Sequence, residues 1–369
     1  MFAGLKPFAP VIAPQSTEKR DRLGWKAPKS GLHDGLLYNQ NVSSTEETCT
    51  RLTEIPNLTV SAGTPLSLYT RFGIGGPADV YAETEDAAAF IASLDVARAS
   101  GLDYMVMGSG TNLVVSDAGF RGIMLRFTSH GMRSEGTRVS ADAGAVLQDL
   151  IDFAIDRGLK GLETMSGVPG SVGAAVYGNA GAYGHSISER IRSVLFFDGS
   201  NVRLFDNGAC QFHYRESIFK RHKDWIIFST ELELEAAAAD ELRRIADDIL
   251  KVRNEKFPVT MKCAGSIFKN LLLHELPPGK AAAVPGRVVR EGKVPAAYFL
   301  EQAGAKGMQR GDIHVADYHA NLIYNGGRGT AQELCALIED LKGRVRSRFG
   351  IELEEEVQYV GFPQLLPAG

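Results

Sequence analysis

The stretch GVPGSVGAAVYGNAGAYG, residues 167–184, decides how this chain is interpreted. Nearly all of its residues are small, and each glycine adds backbone entropy that folding must overcome. Such a run is useful where the backbone approaches a ligand closely, because bare N–H groups then reach a phosphate or a flat ring. A flexible linker is the alternative, but Val168, Val172, Val176 and two tyrosines supply buriable groups that linkers usually lack. We therefore interpret the run as a loop that cradles a ligand.

The composition is that of an ordinary soluble globular protein. The chain has 369 residues, 44% of them hydrophobic and 23% charged, with a net charge of −4, and its length suggests about two or three domains. No basic patch points to nucleic acid or to an anionic membrane. The four cysteines are far apart and form no CxxC pair, which indicates neither a disulfide framework nor a metal site. No apolar run approaches the ~20 residues of a membrane helix, and we expect a cytoplasmic protein.

The chain is interpreted in four parts along its length. Residues 1–63 are polar and rich in Pro, Gly and Ser, and we expect a weakly ordered extension. Two mixed α/β glycine-rich parts follow, and then an α+β part that begins with a helix near residue 236. Asp86 and Thr330 are predicted to cap helices that end near residues 100 and 349. Further helices are predicted at 145–157, 236–254 and 295–303, and strands at 78–82, 121–127, 194–198, 202–205, 225–235, 266–270, 320–324 and 351–360.

Two more glycine-rich motifs precede the run. They are TRFGIGGPAD at residues 70–79 and GSGTN at residues 108–112. GSGTN alone is typical of a tight turn, and it is not the dinucleotide fingerprint, because a strand-like LVVSD follows it instead of a helix. Three such elements within roughly a hundred residues nevertheless favour a large ligand with a pyrophosphate and a flat ring system. FAD suits this description better than a single phosphate.

Three polar motifs are structural when each is taken alone. YRESIFK at 214–220 offers an Arg–Glu pair on a strand end, and AGSIFKN at 264–270 places Ser266 after a glycine, where the chain can bend. In ELEEEVQYVG, residues 352–361, strand alternation puts Glu354 and Glu356 on one face.

Taken together and in order, these motifs resemble the UDP-N-acetylenolpyruvoylglucosamine reductases (MurB), flavoenzymes of bacterial peptidoglycan precursor synthesis. LEQAGAKG at 300–307, HANLIYN at 319–325 and LEEEV at 353–357 complete the series. The resemblance covers residues 64–361 and rests on order, spacing and number of motifs.

The resemblance implies a PCMH/vanillyl-alcohol-oxidase-type FAD-binding fold in two subdomains, at 64–127 and 128–235. A C-terminal α+β substrate-binding domain at 236–361 and a tail at 362–369 would follow. The implied reaction has two halves, in which NADPH reduces non-covalently bound FAD and hydride then passes to the enolpyruvyl double bond, giving UDP-N-acetylmuramate. The implied FAD contacts are Phe72, Gly73, Gly108, Ser109, Gly110, Thr111, Asn112, Val168, Pro169, Gly170, Gly173, Ala174, Gly181 and Tyr183.

The resemblance also implies the residues of the second half-reaction. Arg215 and Glu356 match the pair that stabilises the enolate left by hydride addition, and Ser266 matches the acid that protonates C2. A serine needs nearby positive charge to act as an acid, for which Lys256 and Lys269 are candidates. The residues that match substrate contacts are Lys256, Asn270 and His319.

The chain departs from part of the family, and other functions stay open. No room is left after residue 235 for the tyrosine-bearing substrate loop of the longer class, so the chain resembles the shorter class. The basic insert at 271–294 is a candidate substitute lid. A flavin oxidase of the same fold is an alternative, with His185 nearest to a position for covalent attachment. A non-enzymatic nucleotide-sugar binding protein is another. We expect a monomer with no nucleic-acid or membrane partner.

Overall fold

The computed structural model of the protein describes residues 34–363. The chain divides into two units, Met1–Gln40 and Asn41–Gly369, and the account below concerns the second. Residues 1–33 of the expected extension and 364–369 of the expected tail lie outside the described residues. Where the extension is described, the expectation of weak order is wrong. Leu52 and Cys49 lie one helical turn apart on α1 and pack into a core with Phe90. These two residues share one face of the helix, although most of the surrounding sequence is polar.

The first part of the structure is a four-stranded sheet with a helix against it. The strand order is β1-β2-β5-β3, and only the β1–β2 pair is antiparallel. Asp86 caps α2 through the N–H groups of Ala88 and Ala89, as predicted. The elements are α1 (Asp34–Thr53), β1 (Thr59–Pro65), β2 (Pro77–Thr84), α2 (Ala87–Ser100), β3 (Tyr104–Met107), β4 (Leu113–Val115) and β5 (Phe120–Phe127).

The second part is a five-stranded antiparallel sheet of order β12-β11-β13-β7-β6, covered by helices. Helix α6 places Leu242 and Ala246 in this core, so it packs with the second part. The sequence analysis instead expected the third part to begin at residue 236 and to include this helix. The elements are β6 (Met132–Glu135), β7 (Arg138–Asp142), α3 (Leu147–Ile155), β8 (Leu159–Lys160), α4 (Val172–Tyr177), β9 (Gly181–Ala182), β10 (His185–Ser186), β11 (Ile191–Phe197), β12 (Val202–Asp206), α5 (Ile218–Arg221), β13 (Ile226–Glu233), β14 (Glu235–Ala236) and α6 (Ala239–Lys256).

The third part packs two helices on a sheet of order β15-β20-β19-β18. Thr330 begins α9 with a capping box that Glu333 completes, which confirms the predicted cap. The elements are β15 (Lys262–Ser266), β16 (Leu271–Leu272), α7 (Pro278–Ala282), β17 (Lys293–Val294), α8 (Ala296–Gln302), β18 (Gln309–Arg310), β19 (Ile313–Ala316), β20 (His319–Asn325), α9 (Ala331–Phe349) and β21 (Gln358–Val360).

Two predicted strands are wrong in extent. The strand expected at 266–270 instead ends at Ser266, after a register shift beside Gly265. The strand expected at 351–360 is reduced to β21, which pairs in parallel with β4. Before it, Leu353 and Val357 are buried in the third core, Glu354 between them is exposed, and Glu355 and Glu356 are partly buried in ion pairs. Apolar and polar residues therefore alternate along this segment although it forms no continuous ladder of strand hydrogen bonds. A partly buried extended segment produces the same sequence pattern as a strand.

Several polar contacts join the third part to the first. The Asn325 side chain donates to the Phe72 carbonyl at 3.0 Å, and Asp117 accepts from the first two N–H groups of α9 at 2.8 and 3.0 Å. With the β4–β21 pair, these contacts fix the third part against the glycine-rich loops of the first. Within residues 34–363, none of the helices has the length and apolar character needed to cross a membrane.

Candidate active site

The three glycine-rich motifs lie side by side. The N–H of Arg71 donates to the Gly110 carbonyl at 3.2 Å, which joins the first motif to the second. The Thr111 hydroxyl donates to the Pro169 carbonyl at 3.5 Å, which joins the second to the third. The three motifs therefore form one continuous surface, as expected for cradles of a single large ligand.

This surface fits the FAD that the sequence predicts. A Cβ atom on Gly108 would stand 2.9 Å from the Ser171 hydroxyl, so only glycine keeps the loop this close to α4. Within the described residues, no N–H of residues 109–112 donates to a backbone carbonyl, which leaves donors for a phosphate. Beside the loop is a cavity of about 510 Å³ whose lining includes Val168 and Pro169. The hydroxyl of Ser166, buried in its wall, has no hydrogen-bond partner among the described residues.

Some predicted FAD residues also have contacts within the protein. Phe72 is 1% exposed, its ring belongs to the third core, and its carbonyl accepts from Asn325. A Cβ on Gly173 would meet the Ala143 Cβ at 2.8 Å. The Gly181 carbonyl accepts from an arginine side chain. Tyr183, by contrast, is 53% exposed, and its side chain lies beside Arg253. Contact of these residues with FAD stays a prediction.

Arg215 and Glu356 form an ion pair between the second and third parts. The Nε of Arg215 lies 2.9 Å from Oε1 of Glu356, and both side chains are about three-quarters buried. The angle is too bent for a hydrogen bond, and Nε has no other partner among the described residues. A second guanidinium nitrogen donates to the Gly181 carbonyl at 2.9 Å. The contacts with Glu356 and Gly181 therefore hold the guanidinium as a fixed cation between the second and third parts.

Ser266 lies next to the segment that holds Glu356. The Glu356 N–H donates to the Ile267 carbonyl at 2.7 Å, and the Asn112 side chain donates to the Glu356 carbonyl at 2.8 Å. The chain bends at Gly265, with φ of 75°, as the sequence predicts for a projecting serine. The Ser266 hydroxyl has no hydrogen-bond partner in the part of the chain that the structure describes. GSGTN, AGSIFKN and LEEEV thus meet at one place.

Lys269 is bound by carboxylates on two sides. Its ammonium lies 3.0 Å from Glu216 and also pairs with Glu354. Burial disfavours its charge, but the hydrogen bonds to Glu354 and Glu216 raise the pKa of Lys269. Its charge is already balanced by these partners, so Lys269 is a poorer source of positive charge for Ser266 than the sequence suggested.

Lys256 and His319 are neighbours at the end of α6 and the start of β20. Burial, together with the Lys256 charge, lowers the pKa of His319 to about 4. Burial and the charges of Arg253 and Arg290 lower the pKa of Lys256. Asn270, the third predicted substrate residue, lies elsewhere, and its side-chain oxygen accepts from the first N–H of α8 at 3.3 Å.

Arg253 is a site residue that sequence reasoning missed. It is one helical turn before Lys256, and its buried Nε has no hydrogen-bond partner among the described residues. Burial lowers the pKa of Arg253 and the nearby Arg71 acts in the same direction. The spacing of three residues on α6 was the available signal, because it places Arg253 and Lys256 on one face. Together they form a cationic wall for which the described part of the chain supplies no carboxylate partner.

The basic insert at 271–294 reaches the same region. Its tip is a tight turn in which residues 290 and 293 pair. A Cβ on Gly184 would meet a Glu291 carboxylate oxygen at 2.6 Å. The Lys293 ammonium lies 4.8 Å from the centre of the Tyr214 ring. The insert therefore touches the end of the glycine run and the residue before Arg215, as a cover would.

The chain is similar to known proteins over most of its length. A family model described as UDP-N-acetylenolpyruvoylglucosamine reductase, C-terminal domain, matches residues 257–360, and an FAD binding domain model matches residues 78–201. The UDP-N-acetylenolpyruvoylglucosamine reductase of Solibacter usitatus is 72% identical over 84% of this chain and 100% of that protein. That of Rubrobacter xylanophilus is 37% identical over 81% and 94%.

A solved structure agrees with the sequence relatives. The crystal structure of UDP-N-acetylenolpyruvylglucosamine reductase (MurB) from Thermus caldophilus matches with a TM-score of 0.64 and 26% identity. The match covers 82% of this chain and 98% of that one. The expected fold class, a PCMH-type FAD-binding domain followed by a C-terminal α+β domain, is confirmed.

Proposed function

Because the chain belongs to the UDP-N-acetylenolpyruvoylglucosamine reductases, we propose that Arg215, Ser266 and Glu356 carry the reductive half of its reaction. The family is FAD-dependent, uses NADPH and acts in peptidoglycan precursor synthesis. The observation that supports these roles is the Arg215–Glu356 ion pair, held by backbone contacts beside Ser266.

When bound, FAD accepts hydride from NADPH and supplies it to C3 of the enolpyruvyl group. Addition at C3 leaves a negative charge at C2 that spreads into the attached carboxylate. The guanidinium of Arg215 is a fixed positive charge for that developing negative charge, and preorganised charges give the largest electrostatic gain. A bare carboxylate would repel an enolate, but Glu356 is paired with Arg215 and is not bare.

Ser266 then donates its hydroxyl proton to C2, which completes UDP-N-acetylmuramate. The alkoxide left behind regains a proton from solvent. Of the two candidate cations, we expect Lys256 to support this step, since the charge of Lys269 is already balanced by two carboxylates.

The binding roles follow the division of the fold. The first two parts would hold FAD along the three glycine-rich motifs, and the third part would hold the nucleotide sugar. Lys256 and His319 would face its anionic portion with Arg253, and Asn270 would contact it from the far side of Ser266.

The experiment separates the two half-reactions in Ser266→Ala. Flavin reduction by NADPH should be unchanged, because no proton is transferred to carbon in that half. Reoxidation by UDP-N-acetylglucosamine enolpyruvate, followed by stopped-flow absorbance, should slow by about 10²- to 10⁴-fold, the usual contribution of a positioned acid. Ser134→Ala, at an exposed serine of β6, is the matched control and should change neither rate. Equal loss of both half-reactions in Ser266→Ala would contradict its role as the acid.

A further inference from the structure

Arg215 lies on a tight turn whose ends pair with each other. The N–H of Glu216 donates to the His213 carbonyl at 3.1 Å, and the N–H of His213 donates to the Glu216 carbonyl at 3.0 Å. Tyr214 and Arg215 are the two residues between them. Arg215 has φ of 58°, a left-handed conformation that costs free energy in a residue other than glycine. The surrounding structure must hold it there.

The second half of the glycine run, residues 177–184, holds this turn. Three hydrogen bonds join them at alternate residues of the run. They are Ser217 Oγ to Tyr177 O (2.7 Å), Asn179 Nδ2 to His213 O (2.7 Å) and Arg215 Nη2 to Gly181 O (2.9 Å). The bond from Ser217 holds the end of the turn and the bond from Arg215 holds its guanidinium. Only the bond from Asn179 holds the backbone of the turn itself.

Asn179 has no freedom to turn its amide elsewhere. Its side chain is buried, at 5% exposure, and its Oδ1 accepts from the N–H of Ser188 at 3.4 Å. With φ of 43°, Asn179 adopts a conformation that asparagine tolerates better than most residues. Both ends of the amide are engaged, so the place of the His213 carbonyl is set by a rigid group.

We propose that Asn179 is a positioning residue for the reduction and acts through Arg215. The inference rests on the role proposed above for Arg215. Through His213, Asn179 sets where the turn lies, and the turn sets where the guanidinium meets Glu356 and the substrate. A misplacement of about 1 Å at a catalytic group can cost about 10²-fold in rate.

The test uses the purified, flavin-containing full chain with Asn179→Gly and Asn179→Asp. Glycine removes the amide but still accepts the left-handed conformation. Aspartate keeps the size and shape of asparagine but places an oxygen instead of an N–H donor against the His213 carbonyl. The aspartate variant therefore tests the same contact if the glycine variant folds poorly. In both variants, flavin reduction by NADPH should stay within about twofold, and reoxidation by substrate should slow by about 10²-fold. Unchanged reoxidation in either folded variant overturns the inference.

A matched control uses another asparagine that bonds carbonyls of the same region. The Asn207 amide donates to Ser188 O at 2.7 Å and Ile191 O at 2.8 Å, away from the turn. Asn207→Ala should leave both half-reactions unchanged. Equal slowing in Asn207→Ala and Asn179→Gly would show general loosening and overturn the inference.

A double-mutant cycle distinguishes a positioning role from a merely structural one. Asn179→Gly should cost little further reoxidation rate in an Arg215→Lys background, because the group it positions is already lost. Equal slowing in both backgrounds overturns the inference while leaving the role of Arg215 intact. A normal reoxidation rate in Arg215→Lys alone overturns the role proposed for Arg215, and the inference with it.

Discussion

The two halves of the glycine run, residues 167–174 and 177–184, have three glycines each but different surroundings. In residues 167–174, Pro169 and Ala174 are exposed, and the start of the segment lines the cavity. In residues 177–184, two carbonyls and the Asn179 amide are bonded to the turn that carries Arg215. The first half lines the cavity, while two carbonyls of the second half are bonded to protein and its Tyr183 side chain is exposed.

Two of the buried polar atoms without hydrogen-bond partners among the described residues lie beside the first half, and a third, Arg215 Nε, belongs to the turn bonded to the second half. Ser166 Oγ and Arg253 Nε are buried and unpartnered among the described residues, and a Cβ on Gly167 would meet the Arg253 side chain at 3.2 Å. Both atoms therefore lie beside the first half. Small residues let a ligand approach in the first half and let another backbone approach in the second. A run of glycine and alanine does not by itself show which of the two it serves.

The largest effect that this comparison predicts is loss of flavin on Gly170→Val. Gly170 has φ of 135°, and a Cβ there would stand 3.2 Å from Thr111 Oγ1, between two of the cradling motifs. The variant should fold but be purified without FAD, measured as the ratio of absorbance near 450 nm to that of the protein.

Gly136→Val is the matched control for this change. Gly136 also has positive φ, at 58°, but a Cβ there would have no atom within 4 Å. The control should be yellow and active although valine is disfavoured at its backbone conformation as well. A yellow, active Gly170→Val protein would refute the assignment of the first half to FAD.

A smaller effect is expected at the second half from Ser217→Ala. Ser217 is 1% exposed, and its loss leaves the Tyr177 carbonyl without this donor. The free energy of unfolding should fall by about 2 kcal/mol in urea denaturation, the cost of an unsatisfied buried acceptor. Flavin content should stay normal, while reoxidation by substrate slows. Loss of flavin with normal reoxidation kinetics would mean that the second half also faces the ligand.

Local signals in the sequence predicted much of the fold. The caps at Asp86 and Thr330 need only residues within one turn, and both predictions are confirmed. The convergence of the glycine-rich motifs followed from their number, since one large ligand needs several cradles. The resemblance in motif order gave the family, which the relatives confirm.

Long-range packing is what the sequence did not show. Helix α6 has an apolar stripe, but nothing in it says that Leu242 joins the second core. The segment before β21 alternates like a strand because Leu353 and Val357 are buried, although its neighbours offer no continuous ladder. The partner of Asn179 lies 34 residues away, at His213, and no local pattern marks that pair.

The smallest predicted effect is on the pH dependence of stability, through His319. His319, next to Lys256, has a pKa of about 4 in the folded chain and about 6.5 in the unfolded chain. Between these values the unfolded chain binds the proton and the folded chain does not, so stability falls as pH drops from 6.5 toward 4. His319→Gln removes this contribution. From pH 7 to pH 5, the variant should lose about 2 kcal/mol less free energy of unfolding than the unmodified chain. His274→Gln, at a side chain 77% exposed, should behave as the unmodified chain does. If His319→Gln and the unmodified chain showed the same pH dependence, the His319 imidazole would titrate freely in the folded chain. Its burial beside Lys256 would then carry no electrostatic cost.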